Sequence, residues 1–238
     1  MVGSRTVRID PHVHSAASYD GRDPPELLLE QAAAVGLDAV VVTDHDRIEA
    51  SLRAADLAPE FGLIGIPGAE ISTAHGHLLG IGIKELPDPG RPMDETVATV
   101  RDLGGVAVVP HPFQRTRHGA RRRVLQSIDI DGIETYNAWL FTGYRNLRAR
   151  AFAHRNGLTS LAGSDAHSVT TVGRAFTEME FEDRRGRVTA RDVVEAIHNG
   201  TTAVHGRRAP IHRCAGHYAK GAGRKAAWAA RAAAMALV

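Results

Sequence analysis

The chain of 238 residues contains a single cysteine, Cys214, so no internal disulfide can form. A disulfide-free chain fits a reducing cytoplasm, which is the expected location. Long apolar runs are also missing. The best candidate, residues 226–238, is too short to cross a bilayer and carries Arg231. The first residues, Met1-Val2-Gly3-Ser4-Arg5, lead into a strand-like segment without an apolar signal region. Charge of one sign is lacking too: the formal net charge of +2 does not argue for nucleic-acid binding by itself. Membrane partners are therefore not expected, and no obligate protein partner is evident.

What is present suits a packed domain. Hydrophobic residues make up 43% and charged residues 24% of the chain, ordinary values for a globular protein. Strand and helix signals alternate along it. Residues 7–13 read as a strand, and Pro24-Pro25 opens a helix that Gly36 stops. The run Ala39-Val40-Val41-Val42-Thr43 has the unbroken β-branched character of a buried parallel strand. A helix over 48–61 and strands over 63–71 and 78–83 follow. Next come a helix over 93–103, a strand over 106–109, a strand over 132–136, a basic helix over 142–156 and a strand over 158–163. A last strand over 176–181 precedes a helix over 189–198 capped by Thr189. Repeated β–α units predict a parallel sheet flanked by helices, open or closed into a barrel. Residues 1–206 are expected to form the catalytic unit. Residues 207–238 are expected to be a basic, alanine-rich extension packed on it, a dimer contact being the other reading of its terminal helix.

Histidine is abundant, with thirteen in the chain, and placement matters more than number. His12 and His14 end the first strand, and Asp44-His45-Asp46 the second. Glu70 ends the third, and His77 precedes the fourth. His111 follows the fifth, and Asp165 and His167 end the strand over 158–163. In a parallel α/β architecture the strand C-termini share one face, where sites are built. Residues at i and i+2 on a strand point the same way, so His12 with His14, and Asp165 with His167, can aim at one ion. Mixed imidazole and carboxylate donors suit Zn²⁺, Mn²⁺ or Fe²⁺. Together with Asp20, the set exceeds what one ion needs and implies two or three. Each piece has a plainer reading: Asp44 or Asp46 as a helix cap, Glu70 as a surface carboxylate, His12-Val13-His14 as structural. The ordered conjunction argues against those readings.

These motifs resemble the PHP (polymerase and histidinol phosphatase) family: His12-Val13-His14-Ser15, Tyr19-Asp20-Gly21, Thr43-Asp44-His45-Asp46, Gly68-Ala69-Glu70-Ile71-Ser72, His77-Leu78-Leu79-Gly80, His111-Pro112 and Gly163-Ser164-Asp165-Ala166-His167. The resemblance spans residues 7 to about 178. His75 competes with His77, which is preferred for the apolar residues after it. The resemblance implies a distorted (β/α)7 barrel of parallel strands with up to three metals. One metal would take His12, His14 and Asp165 with Glu70 shared, a second Glu70, His77 and His111, and a third Asp20, His45 and His167. Asp165, Glu70 and His167 would carry catalytic roles.

The expected activity is hydrolysis of phosphate esters by a metal-activated hydroxide, with nucleotides or short oligonucleotides as substrates. Cys214 has no support as a nucleophile, and no general acid stands out. Arg174, Arg115 and Arg145 are candidates to bind substrate phosphate, although any one of them taken singly reads more readily as a solvated charge. Arg117 and Asn137 are further candidates. The stretch Arg115, Arg117, Arg121, Arg122, Arg123 could draw in a nucleic acid or simply offset the acidic cluster. The alternatives are a small-molecule phosphomonoesterase resembling histidinol phosphatase, and a catalytically silent metal-binding module of a polymerase or repair assembly. An amidohydrolase-like reading lacks its carboxylated lysine, since Lys84 is the only lysine before the tail.

Overall fold

The computed structural model describes residues 4–140, 143–182, 187–200 and 202–208. Cys214, the helix expected over 226–238 and nearly all of the expected extension lie outside the described residues. The order is β1 (Ser4–Val13), α1 (Pro25–Ala34), β2 (Ala39–Val42), α2 (Glu49–Leu57), β3 (Gly68–Thr73), β4 (Gly76–Ile81), α3 (Met93–Asp102), β5 (Val106–Val109), α4 (Arg122–Leu125), β6 (Gly132–Asn137), α5 (Tyr144–Asn156), β7 (Thr159–Gly163), β8 (Ala175–Glu182), α6 (Ala190–His198) and β9 (Ala203–Gly206). Local chemistry sets the boundaries. Pro25 begins α1, where a missing N–H costs nothing. Thr189 and Asp192 form a reciprocal capping box at the start of α6.

Two expectations are corrected. The strands are not all parallel: β3 pairs antiparallel with β4, β4 with β5, and β8 with both β1 and β9. Only two residues, Ala74 and His75, separate β3 from β4. Such a link can reverse the chain but cannot make the crossover that parallel pairing requires. Nor do the strands close into a parallel seven-stranded ring. They form two sheets, ordered β2-β1-β8-β9 and β3-β4-β5-β6-β7. Isolated bridges, Val13 with Ala166 and His45 with Glu70, join the sheets at both seams.

The sheets share a core. Val7, Ile9, Ala39 and Val41 from one pack with Leu79, Ile81, Val108 and Leu161 from the other. Val193 and Ile197 of α6 join the same cluster. Val194 crowds Gly82, just beyond the C-terminal end of β4. Since β4 runs opposite to β5, helix α6 closes the end of the core away from His111. The other helices cover the outer faces, α1 and α2 over β2, and α3 and α5 over β5 and β6. The site end is thereby left to loops and the short helix α4.

Candidate metal centre

All nine histidines and carboxylates singled out by the motifs are buried at this end. The reversal at β4 is what admits His77: the start of an antiparallel strand lies beside the ends of its neighbours. His77 sends Nδ1 to Glu70, whereas His75 is exposed and accepts from the Met93 backbone N–H.

Glu70 is the hub. Its Oε1 lies 2.7 Å from His77 Nδ1 and 3.0 Å from His111 Nε2. Its Oε2 lies 3.3 Å from each of His12 Nε2, His14 Nε2 and His45 Nδ1. Asp20 Oδ2 sits 3.0 Å from His167 Nε2 and 3.3 Å from His45 Nε2. Asp165 Oδ1 lies 3.5 Å from His14 Nε2 and 3.7 Å from His12 Nε2. Triads whose ligand atoms fall within 4.8 Å of one another are His12-His14-Asp165, His12-Glu70-His111, His14-Asp20-His45 and His45-Glu70-His77.

Residues outside the motif set hold these side chains in place. His12 Nδ1–H donates to Glu134 Oε1 at 2.9 Å, which turns Nε2 inward. Glu134 Oε2 also accepts from the His111 backbone N–H and from Asn137 Nδ2. Asn137 spans Glu134 and Asp165, both at 2.9 Å, so it orients carboxylates inside the protein. Gly163 permits this packing, because a Cβ there would overlap Glu134 and lie 2.7 Å from the Cβ of His12. Asp44 accepts from the Ser15 N–H at 2.7 Å and Ser15 Oγ at 2.6 Å. It therefore pins the turn after His14 and caps no helix. Asp46 likewise accepts from the Ser72 N–H at 2.7 Å. Asp10 accepts from the N–H groups of Ser164 and Gly173, and burial pushes its carboxyl up to about 6. Asp165 and His111 hold φ of 53° and 31°. That left-handed backbone costs on the order of 1–3 kcal/mol per residue and aims both side chains into the cluster.

The electrostatics are divided. Burial opposes charge on Glu70, yet the imidazoles of His45, His77 and His12 hold its carboxyl well below the usual range. Asp165 is also held well below, burial being outweighed by Arg117 and His12. Asp20 is lowered against burial by His167 and His14. His14 is pushed up to about 10, because Asp20, Asp165 and Glu70 outweigh burial. His45 and His111 go down, chiefly through burial, and so tend to offer lone pairs. His14 Nδ1 and His111 Nδ1 have no hydrogen-bond partner among the described residues. His12 Nε2 and His14 Nε2 face each other at 3.1 Å. Buried imidazole nitrogens crowded around acceptor-only oxygens are a donor set suited to divalent cations.

The expected phosphate-binding arginines separate. Arg115 lines a cleft of about 920 Å³ that opens beside His77. Arg117 reaches the cluster itself and grips both oxygens of Asp165. Arg145 instead donates to the carbonyl of Phe113. Arg174 lines a different cavity, with Phe176 and His205, that contains none of the nine.

Comparison with known proteins agrees with this architecture. The family model described as PHP-associated matches residues 143–202. An uncharacterized protein of Methanocaldococcus jannaschii, MJ1587, is 29% identical over 59% of this chain and 87% of its own length. The fold is similar to a two-domain protein from Bacteroides vulgatus containing a predicted PHP-like metal-dependent phosphoesterase. The TM-score is 0.72 at 22% identity, over 86% of this chain and 66% of that one. It is also similar to a lesion-specific endonuclease from Pyrococcus furiosus, with a TM-score of 0.56 at 19% identity over 84% of this chain and 58% of that one. The family-model match takes in Asp165 and His167 of the motifs, and the likeness in fold extends over most of the chain.

Proposed function

We propose that this protein is a metal-dependent phosphoesterase acting on nucleotides or short oligonucleotides. The observation that carries the proposal is the convergence of five imidazole nitrogens on the two oxygens of Glu70, flanked by Asp20 and Asp165. His12, His14, Asp165 and Glu70 would hold one ion, Glu70, His77 and His111 a second, and Asp20, His45 and His167 a third, each Mn²⁺, Zn²⁺ or Fe²⁺. When bound, such ions supply a nucleophile near neutral pH and neutralise charge on phosphate oxygens.

The chain's own residues do the positioning. Glu134 fixes the ring of His12 and, through the His111 backbone, the loop after β5. Asn137 and Arg117 fix Asp165. Arg115, on the cleft beside His77, would draw a phosphate toward the cluster. The resemblance in fold to a metal-dependent phosphoesterase and to an endonuclease supports the reaction class.

The test is hydrolysis by Mn²⁺-loaded protein of a chromogenic phosphomonoester, a chromogenic phosphodiester and a nucleotide set, with chelator as control. Chelator-sensitive turnover is expected, with nucleotides preferred. Absence of turnover on every substrate despite bound metal would overturn the proposal.

A further inference from the structure

The cleft beside His77 continues past the cluster. Its walls carry Arg121, Arg122 and Arg123 as well as Arg115. Arg122 also lines a smaller hollow of about 220 Å³, together with Phe113, Tyr144, Leu147 and Arg148. The two depressions therefore adjoin at Arg122, and neither is lined by an aspartate or glutamate. Tyr144 and Leu147, in the first turn of α5, are 63% and 65% exposed. Arg148 lies 5.9 Å from the centre of the Tyr144 ring and 4.8 Å from that of Phe113.

An exposed aromatic ring is a poor surface for water and a good one for a flat partner. Here it stands at the end of a run of cations. A ligand matching both features repeats anionic groups along its length and presents unpaired aromatic faces between them, as a single-stranded nucleic acid does. A duplex keeps its base faces stacked inside and cannot offer one to Tyr144. An acidic peptide would match the arginines and leave the ring unmatched.

We propose that the surface joined through Arg122 is a track for single-stranded nucleic acid, with backbone phosphates on Arg121, Arg122 and Arg123 and an unpaired base stacked on Tyr144. This rests on the phosphoesterase reading and sharpens it. The preferred substrate is a strand extending several nucleotides beyond the scissile phosphate.

The probes are a fluorescein-labelled oligothymidylate of about a dozen nucleotides, its duplex form, thymidine monophosphate and a glutamate-rich peptide. Binding to the full chain is followed by anisotropy in chelator, so that no strand is cut. The single strand should bind at least about tenfold tighter than the monophosphate or the duplex. Tyr144→Ala should weaken it about tenfold, whereas Tyr144→Phe, which keeps the ring, should bind like the parent. Arg122→Ala should also weaken it and reduce the slope of log K against log salt by about 0.7. With Mn²⁺ bound, both alanine variants should lower the ratio of oligonucleotide to chromogenic-ester kcat/KM. Equal binding of strand and monophosphate would overturn the track, as would indifference to both alanine variants, or a peptide competing as well as the strand. Chromogenic-ester turnover with any of those results defeats the track alone. Responsive strand binding with no ester turned over defeats the phosphoesterase reading alone.

Discussion

Two buried carboxylates at opposite ends of β5 are stabilised in opposite ways. Asp131, beside the start of the strand, accepts the Ala107 backbone N–H at 2.8 Å and the Arg101 guanidinium at 2.9 Å. His198 lies 3.2 Å away. Two of these partners bring their own protons, and Arg101 brings a permanent charge. Glu70, facing the strand's other end, is ringed by imidazoles, each of which offers one N–H and one lone pair when neutral and two N–H groups when protonated. The first arrangement is complete as a structural pin. The second depends on groups that can take up or give up a proton, and in the proposed reading a cation would take the proton's place. The chemistry of the surrounding groups, more than burial itself, separates a carboxylate that holds the fold together from the one proposed to hold an ion.

The comparison can be broken at either end. Glu70→Gln should have the largest effect, lowering Mn²⁺-dependent turnover about a thousandfold, because one substitution touches every proposed ion but the third. Steady-state kinetics at saturating Mn²⁺ checks this. Glu134→Gln should weaken metal binding about 10- to 100-fold by releasing the ring of His12, as measured by calorimetric titration. Asp131→Ala should leave metal binding intact and cost about 1–3 kcal/mol of stability in urea, since the Ala107 N–H is left buried and unpaired. A loss of metal affinity there would erase the distinction between the two ends.

A carboxylate at the surface should matter least. Glu26 meets Arg53 at 2.6 Å, and its carboxyl lies below its ordinary value through its own backbone N–H and Arg53. A folded pKa below the unfolded one adds stability that is present above the unfolded value and lost as pH falls through the folded one. Glu26→Gln should therefore cost less than about 0.5 kcal/mol at neutral pH, and the difference should shrink as pH falls below the ordinary carboxylate range, as read by urea denaturation across that range.

Much of the site could be read from the sequence because its ligands end strands, and strand ends announce themselves by a β-branched run meeting a polar break, as at Val42-Thr43-Asp44. The cap at Thr189 was equally visible. The antiparallel turn at β4 was obscured by the βα rhythm, although the short gap between Ile71 and Leu78 carried the contrary signal. Glu134 escaped notice because it sits within a strand and ends none. A carboxylate among the otherwise uncharged residues of Gly132–Asn137 was its only mark. Arg117 could not be told from Arg145 or Arg174, since which arginine reaches Asp165 depends on the loop after His111. That loop turns through a left-handed residue, His118, at φ 54°.

The central claim is that Glu70 organises a cation site. Calorimetric titration of chelator-stripped protein with Mn²⁺, parent against Glu70→Gln, tests it most directly. The parent should bind two or more ions per chain with release of protons, and the variant should lose at least one of them. Equal uptake by both proteins, or none by the parent, would contradict the account.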